Sequence, residues 1–156
     1  MTRGTIEIAQ GVIEALWHRS AAPIADFAAN ARFELQGRAL EPEQFRQLAV
    51  TELQLALPDL RMRIRDTLVD TPAAGRDVVA LRMSCTGTHA GVLFGVPASG
   101  ESVSFGLSLW LRFHGPLIVV AQLFWNQFTA QEVLVAGRQR AAQASTGPGP
   151  QVRLQQ

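Results

Sequence analysis

The run from Val103 to Phe113 constrains the fold more than any other part of the chain, because apolar residues occupy every second position. Such alternation predicts a long β-strand with one buried face. The turn residues His114-Gly115-Pro116 follow, and the stretch from Leu117 to Asn126 predicts a strand that returns beside the first. An antiparallel sheet covered on one face is therefore the expected centre of the fold. The predicted inward positions are Val103, Phe105, Leu107, Leu109, Leu111 and Phe113, with Ser104, Gly106 and Ser108 opposite.

Four segments carry the signals of helices. Apolar residues at three- and four-residue steps from Thr5 to Arg19 predict a first helix. Ser20 and Pro23 predict a short second helix at about residues 24–29, and Pro42 opens a third that runs to about Leu57. A capping box at residues 129–132 predicts a final helix that ends at Gly137.

The remaining strands follow from alternation. Phe33 and Leu35 predict a brief strand, and residues 61–68 and 78–86 predict two longer ones. Helices followed by mostly antiparallel strands indicate an α+β fold, in which a curved sheet wraps around the N-terminal helices as a cone-shaped barrel. The wide end of such a cone is the expected place for a small, mostly apolar ligand.

Composition limits the class of protein. With 156 residues, of which 47% are apolar, the chain is predicted to form one domain at residues 1–137. The polar tail at residues 138–156 is expected to be disordered. The 14 basic and 13 acidic residues give a net charge of +1, so nucleic acid is not an expected partner. No apolar run approaches the roughly 18 residues that span a membrane. A single cysteine, Cys85, and the absence of a leader pattern predict a cytoplasmic protein.

Missing residue types exclude several reactions. The chain has no lysine for a Schiff base and no tyrosine for a phenolic oxyanion donor, and it has no Gly-x-Ser-x-Gly elbow. His18, His89 and His114 are far apart and belong to no metal-binding motif. We therefore expect no metal site.

The sequences of one connection and of the last predicted strand resemble those of a known family. The connection reads Thr-Gly-Thr-His-Ala-Gly at 86–91 and Gly-Val-Pro-Ala-Ser-Gly at 95–100, and the last strand ends at Trp125-Asn126. Over roughly Ile6 to Gly137 the chain resembles the SnoaL-like polyketide cyclases of the nuclear-transport-factor-two-like superfamily. The resemblance implies a homodimer without a required cofactor, which acts by acid/base chemistry on hydrophobic cyclic ketones or polyketides.

The same resemblance assigns roles to single positions. In the cyclases an aspartate that moves a proton usually ends the last strand, and the matching residue here is Asn126. A carboxamide can donate a hydrogen bond to an enolate but cannot serve as the base. In the ketosteroid-isomerase relatives the base lies on the first strand, and the matching residue here is the inert Leu35. Their helix-one tyrosine corresponds to Val12.

Two other residues are candidates to move a proton. Simple alternation places Asp66 on the face of Met62 and Ile64, towards the helices, where burial would raise its pKa. A bulge could instead turn Asp66 to solvent or onto an arginine. His18 follows Trp17 at the end of the first helix and is either an acid or base at the mouth of the cone or a surface residue stabilising a helix terminus.

Other residues are candidates to hold the ligand. Gln122 and Asn126 flank Phe124 on one strand face, where the amides either orient a ligand carbonyl or satisfy backbone groups. The arginines at 61, 63 and 65, with those at 82 and 112, form an outer basic stripe that either docks an anionic partner or is solvated or dimer-facing. The residues predicted to line the cavity are Trp17, Phe27, Phe33, Leu35, Met83, Phe105, Leu109, Gln122 and Phe124.

Two functions remain open at this stage. The first is a SnoaL-like enzyme that performs a cyclisation, dehydration or isomerisation on a hydrophobic, polyketide-like carbonyl compound, with Asn126 and Gln122 holding the carbonyl and Asp66 or His18 moving the proton. The second is a binding module of the same shape without catalysis. A titratable side chain inside the cavity would favour the enzyme, and its absence would favour the binding module.

Overall fold

A computed structural model describes residues 4–18 and 26–145 of the chain. The strands are β1 Phe27–Leu35, β2 Arg38–Leu40, β3 Arg61–Asp70, β4 Val78–Thr88, β5 Ser102–His114 and β6 Leu117–Trp125. The helices are α1 Thr5–Ile13, α2 Pro42–Arg46, α3 Glu52–Ala56 and α4 Gln127–Ser145. Two wider π-helical turns, Glu14–His18 and Gln47–Thr51, extend α1 and join α2 to α3. No described helix combines the length and the apolar character that crossing a bilayer requires.

The six strands form one open sheet in the order β2-β1-β6-β5-β4-β3. Every neighbouring pair is antiparallel except β1 and β6, which are parallel. The α+β class is confirmed, and so is the alternation of β5, whose predicted inward positions from Val103 to Phe113 are all buried. Residues from α1, α2 and α3 cover this inner face, so the core lies between the helices and the sheet.

The prediction of a short second helix at residues 24–29 is wrong for those of its residues that the structure describes. Residues from Phe27 onward belong to β1, which pairs with β6, and residues 19–25 lie outside the described part of the chain. Phe27 and Phe33 stack at 5.2 Å between ring centroids, and Phe33 lies 5.0 Å from the ring of Phe45 on α2. Backbone pairing with β6 and this aromatic cluster outweigh the weak local helix signal.

The final helix also differs from the prediction. It begins at Gln127 rather than at the capping box, and it continues through Gly137 to Ser145. Gly137 is buried, and a Cβ there would lie 3.4 Å from Ser99 Oγ and 3.5 Å from Glu101 Cβ. The glycine therefore lets α4 pass close to the connection before β5, and residues 146–156 lie outside the described part.

Hydrogen bonds join the end of β4 and the connection between β4 and β5 to the end of α3 and to the turn after it. The backbone N–H groups of Ala90 and Gly91 both donate to the carbonyl of Ala56, at 2.8 and 3.1 Å. Asp59 accepts two bonds of 2.7 Å from Thr88, one from the backbone N–H and one from the hydroxyl. These contacts satisfy a helix-terminal carbonyl and fix the exit of β4.

The Asp59 contacts predict a pH dependence of stability. The bonds from Thr88, first of all the one from its backbone N–H, lower the pKa of Asp59 from its ordinary value of 3.8. Because these bonds favour the ionised form of Asp59 in the folded state, their contribution to stability is fully present above the pKa that Asp59 has in the unfolded state. This contribution is lost as the pH falls through the lower pKa of Asp59 in the folded state. We expect urea midpoints of the wild type and Asp59→Asn to differ at pH 7 and to converge in strong acid. A constant difference at all pH values would contradict this origin.

Candidate ligand-binding site

The inner face of the sheet is filled by side chains. Met83, Phe105 and Leu109 expose 1%, 5% and 0% of their surface, and Leu35 exposes 9%. These four residues were predicted to line a cavity, but the structure places them in the contiguous core with the helices. Cys85 lies among them, and burial raises the pKa of its thiol to about 12, so the thiol stays protonated and is not a nucleophile.

A recess of about 650 Å³ lies where the end of the first helical segment meets the start of β3. Trp17 forms part of its wall and is held firmly, because its Nε1 donates to the carbonyl of Ala49 at 3.1 Å. Gln54 donates to the carbonyl of Trp17, also at 3.1 Å. The described residues that line this Trp17 recess are Trp17, Pro58, Leu60, Arg61, Met62 and Arg63.

The Trp17 recess combines an apolar wall with two permanent charges. An indole, a thioether and aliphatic groups suit a hydrophobic body, whereas Arg61 and Arg63 supply donors for an oxygen atom. None of the six described lining residues is an Asp, Glu, His, Cys, Lys or Tyr. The recess can therefore bind and polarise a carbonyl, but these residues supply no base.

Asp66 does not face the helices, so its predicted inward position is wrong and the bulge alternative describes the structure. The pairing of β3 with β4 shifts between Ile64 and Asp66, and Arg65 is the extra residue. Beyond this bulge Asp66 pairs with Arg82 on the outer face, where Arg82 Nε donates to Asp66 Oδ2 at 2.5 Å. Both side chains are more than half exposed, so Asp66 is an outer ion-pair partner rather than a buried base.

Asn126 lies at the start of α4 and is exposed, which contradicts its predicted place in the ligand cavity. Its Oδ1 accepts the backbone N–H of Thr129 at 3.1 Å, and its backbone carbonyl accepts that of Ala130 at 3.0 Å. These are the contacts of an N-cap residue. The position that matches the catalytic aspartate of the cyclases therefore caps the N-terminus of α4 in this protein.

The capping role of Asn126 leads to a stability prediction. Asn126→Ala removes the side-chain acceptor and should lower the free energy of unfolding by about 1 kcal/mol. Asn126→Asp keeps an acceptor and places a negative charge at the positive end of the helix, so it should be neutral or stabilising. Urea denaturation of the three proteins at pH 7 measures both effects. Equal loss in the two variants would contradict the capping role.

Gln122 and Phe124 also lie on the outer face, so their predicted place in the inner cavity is wrong. The pairing of β5 with β6 shifts between Arg112 and Phe113, and this irregularity changes the phase of β6. Gln122 Nε2 donates to the side-chain carboxylate of Glu34, at 2.7 Å from Oε2, rather than to a backbone group. The buried positions of β6 are instead Ile118, Ala121 and Leu123.

Sequence reasoning missed Trp125, the residue that places a polar atom on the inner side at the end of β6. It is the register partner of the buried Leu107 and stacks on Phe94 at 5.4 Å. Its backbone N–H and carbonyl both bond to the side chain of Gln36, at 3.1 and 2.7 Å. Its Nε1 is buried and has no hydrogen-bond partner among the described residues. The alternation of β6, counted from its buried positions Ala121 and Leu123, would have placed Trp125 on the inner face.

The histidines contribute no described acid or base to the Trp17 recess. The backbone of His18 ends the π-helical turn after α1, but its side chain lies outside the described part, so its predicted role is unassigned. His89 is fully buried, and its Nδ1 lies 3.4 Å from Ser99 Oγ, which is a loop-shaping contact. Within residues 4–18 and 26–145, no group of three or more His, Cys, Asp or Glu is arranged to hold a metal.

A groove of about 630 Å³ runs along the outer face of the sheet. Its outward-facing residues come from β3, β4, β5 and the end of β6, and its floor includes Gly106. We call it the outer groove. Its lining residues are Arg65, Arg82, Met83, Ser84, Ser104, Phe105, Gly106, Leu107, Ser108, Phe124, Trp125 and Asn126. The isolated glycine within a strand was the signal in the sequence for an open surface here.

Comparison with known proteins identifies the family. A sequence model of the SnoaL-like polyketide cyclases matches residues 7–134. A search of the curated proteins finds no match. The fold is similar to that of a protein from Jannaschia Sp. CCS1 named after the SnoaL-like polyketide cyclases, with a TM-score of 0.69 and 15% identity over 87% of this chain and 98% of the other.

Two further solved structures share the fold. A SnoaL-like polyketide cyclase from Agrobacterium tumefaciens has a TM-score of 0.60 and 20% identity over 83% of this chain and 96% of the other. TsrD from Streptomyces laurentii has a TM-score of 0.63 and 19% identity over 84% of this chain and 94% of the other. The chain has the nuclear-transport-factor-two-like fold and belongs to the SnoaL-like polyketide cyclase family.

Proposed function

We propose that this SnoaL-like chain binds a small, hydrophobic, polyketide-like carbonyl compound in the Trp17 recess. The observation that supports this most directly is the composition of the lining, which brings the fixed indole of Trp17 next to Arg61 and Arg63 of β3. An apolar body packs against Pro58, Leu60 and the small exposed fractions of Trp17 and Met62, 3% and 8% of their surface. The carbonyl oxygen accepts from an arginine.

Binding without carboxylate-driven proton transfer is the function that the described residues support best. Asp66 is bonded to Arg82 on the outer face, and Asn126 caps α4, so neither contributes a base to the recess. Arginine does not act as a base at neutral pH, so Arg61 and Arg63 can donate to an enolate but cannot form one.

Acid/base catalysis is the second candidate, and membership of the cyclase family favours it. In this alternative the chain performs a cyclisation, dehydration or isomerisation, and His18, directly after Trp17 in the sequence, moves the proton. The homodimer and the independence from cofactors implied by the resemblance belong to the proposal too, as does the cytoplasmic location expected from the sequence. Sedimentation of the purified protein tests the dimer.

An NMR experiment with 1-tetralone, a bicyclic aromatic ketone, tests both candidates. We expect saturation transfer to 1-tetralone but weaker transfer to tetralin, which lacks the carbonyl. The double variant Arg61→Gln/Arg63→Gln should weaken binding about tenfold, which corresponds to the loss of one charge-assisted contact. Arg112→Gln, an exposed arginine of the sheet that does not line the recess, is the matched control. Binding that survives the double variant unchanged contradicts the proposed site.

The same sample in D2O distinguishes binding from catalysis. A binding module leaves the rate of deuterium exchange at the carbon next to the carbonyl equal to that in buffer. An enzyme accelerates this exchange, and His18→Asn should then abolish the acceleration. Acceleration that depends on His18 would overturn the binding-only proposal, while Asn126→Asp should leave the exchange rate unchanged because residue 126 faces outward.

A further inference from the structure

Two residues of the described chain combine a side chain with a left-handed backbone, and both contact Trp125. These residues are Gln36, with a φ of 54°, and Phe94, with a φ of 47°. Gln36 bonds to the backbone of Trp125, and the ring of Phe94 stacks on its indole. A bulky side chain disfavours this region of φ, and residues held there cluster at ligand contacts and switches.

Phe94 occupies the first central position of a two-residue turn. Leu93 and Val96 on either side are buried and exchange backbone hydrogen bonds of 3.0 and 2.8 Å. Gly95, the second central residue, also has a positive φ, of 76°. Such turns favour asparagine, aspartate or glycine at the first central position, where phenylalanine costs free energy. Other contacts of Phe94 must therefore offset this cost.

Three contacts hold Phe94 in this position. Its ring stacks on Trp125 with the ring centroids 5.4 Å apart, and it meets the ring of Phe105 edge to face at 5.9 Å. Its carbonyl accepts a hydrogen bond of 2.9 Å from Gln131 Nε2 on α4. The stacking contact is one that another aromatic ring could make equally well.

Trp125 itself is fixed in place and has an unused donor. Gln36 bonds to its backbone N–H and to its carbonyl, at 3.1 and 2.7 Å. Its Nε1 is buried and bonds to no described residue, which is a costly state for an N–H group. A ligand that stacks on the indole and brings an acceptor oxygen would remove this cost.

We propose that Phe94 is a displaceable gate over Trp125, and that the gate is closed in this structure. When it opens, the ring of Phe94 leaves the indole, a flat aromatic ketone stacks in its place, and the ketone oxygen accepts from Trp125 Nε1. The exchange keeps an aromatic contact, gives Nε1 an acceptor and lets Phe94 leave the left-handed region. The inference rests on the proposed function for its ligand class, but its residues differ from those of the Trp17 recess.

The location is tested by NMR with 1-indanone, a flat bicyclic ketone, and with indane, which lacks the carbonyl. The full-length protein has three tryptophans, so ¹⁵N labelling gives separate indole N–H signals, and Trp125→Phe identifies the one that belongs to Trp125. We expect 1-indanone to move this signal downfield as the hydrogen bond forms, and indane not to do so. A Trp125 signal that 1-indanone leaves unchanged would overturn the proposal.

Two variants test the gate itself. Phe94→Ala removes the competing ring and should raise the affinity for 1-indanone, measured from the Trp125 signal, about tenfold. Gln131→Met removes only the bond to the carbonyl of Phe94 and should raise the affinity about threefold. Phe128→Ala is the matched control, because Phe128 on α4 is 79% exposed, and it should leave the affinity unchanged. Affinity that rises in neither gate variant contradicts the gate.

The same titration separates this inference from the proposed function. The double variant Arg61→Gln/Arg63→Gln should keep the response of the Trp125 signal to 1-indanone, because neither arginine contributes to the gate. A response that persists there supports the gate even if binding of 1-tetralone at the Trp17 recess is not observed. Loss of the response in the double variant would show that the ketone acts from the Trp17 recess and would overturn the gate.

Discussion

Gly87→Val is expected to lower the free energy of unfolding by about 3 kcal/mol, the upper part of the range for overpacking a well-packed site. Gly87 is buried on β4, and an added Cβ would lie 2.9 Å from Leu57 Cβ and 3.1 Å from Asp59 Oδ1. The side chain would therefore push against the end of α3 and against the carboxylate that holds Thr88. Urea denaturation followed by circular dichroism measures the loss.

Gly106→Ala is the matched control for this result. Gly106 lies on the neighbouring strand, but its added Cβ meets nothing closer than 3.8 Å. Alanine in a strand interior is about 0.5–1 kcal/mol more favourable than glycine, so the control should be neutral or slightly stabilising. Similar destabilisation by the two variants would show that close packing around Gly87 is not the cause.

Trp17→Ala is expected to lower the free energy of unfolding by about 3–5 kcal/mol, the range for removing a large aromatic side chain from a core. Trp17 exposes only 3% of its surface, and its loss leaves a cavity and the carbonyl of Ala49 without its donor. Trp110, which is 40% exposed on the sheet, provides the control, and Trp110→Ala should cost much less.

Trp17→Phe separates the structural role of this residue from ligand binding. Phenylalanine keeps most of the apolar volume but loses the bond to Ala49, so the protein should fold with reduced stability. If the Trp17 recess binds the ketone, saturation transfer to 1-tetralone should fall in this variant. Full retention of binding would place the ligand elsewhere.

The sequence was sufficient to predict elements with a long, regular pattern. The alternation of β5 extends from Val103 to Phe113, and the buried face follows it without exception. The helical periodicity before Leu57 likewise corresponds to α2 and α3, although the π-helical turn between them was not foreseen. In each of these segments one face is buried, so the pattern of apolar residues directly reflects the structure.

The candidate site was harder to predict because two irregularities in the sheet change which residues face inward. The extra residue at Arg65 moves Asp66 outward, and the shift beside Phe113 moves Gln122 and Phe124 outward. A strand has a side-chain period of two, so a single added residue exchanges its faces. Nothing in the local composition of β3 or β6 marks these positions.

Asn126 illustrates a different limit of sequence reasoning. Its match to a catalytic position indicated a pocket residue, but the next residue already begins α4, and asparagine is among the best N-cap residues. The residue type therefore agreed with either role, and only the placement of the helix distinguished them.

The bulge at Arg65 also affects how the protein behaves at high concentration. In the described part of the chain β3 is an outermost strand, and a long regular outermost strand offers its unpaired backbone groups to other molecules. The bulge interrupts that row of groups midway, and charged side chains at Arg61, Arg63 and Asp70 flank it. β3 is therefore protected against intermolecular strand addition, and so against aggregation through this strand.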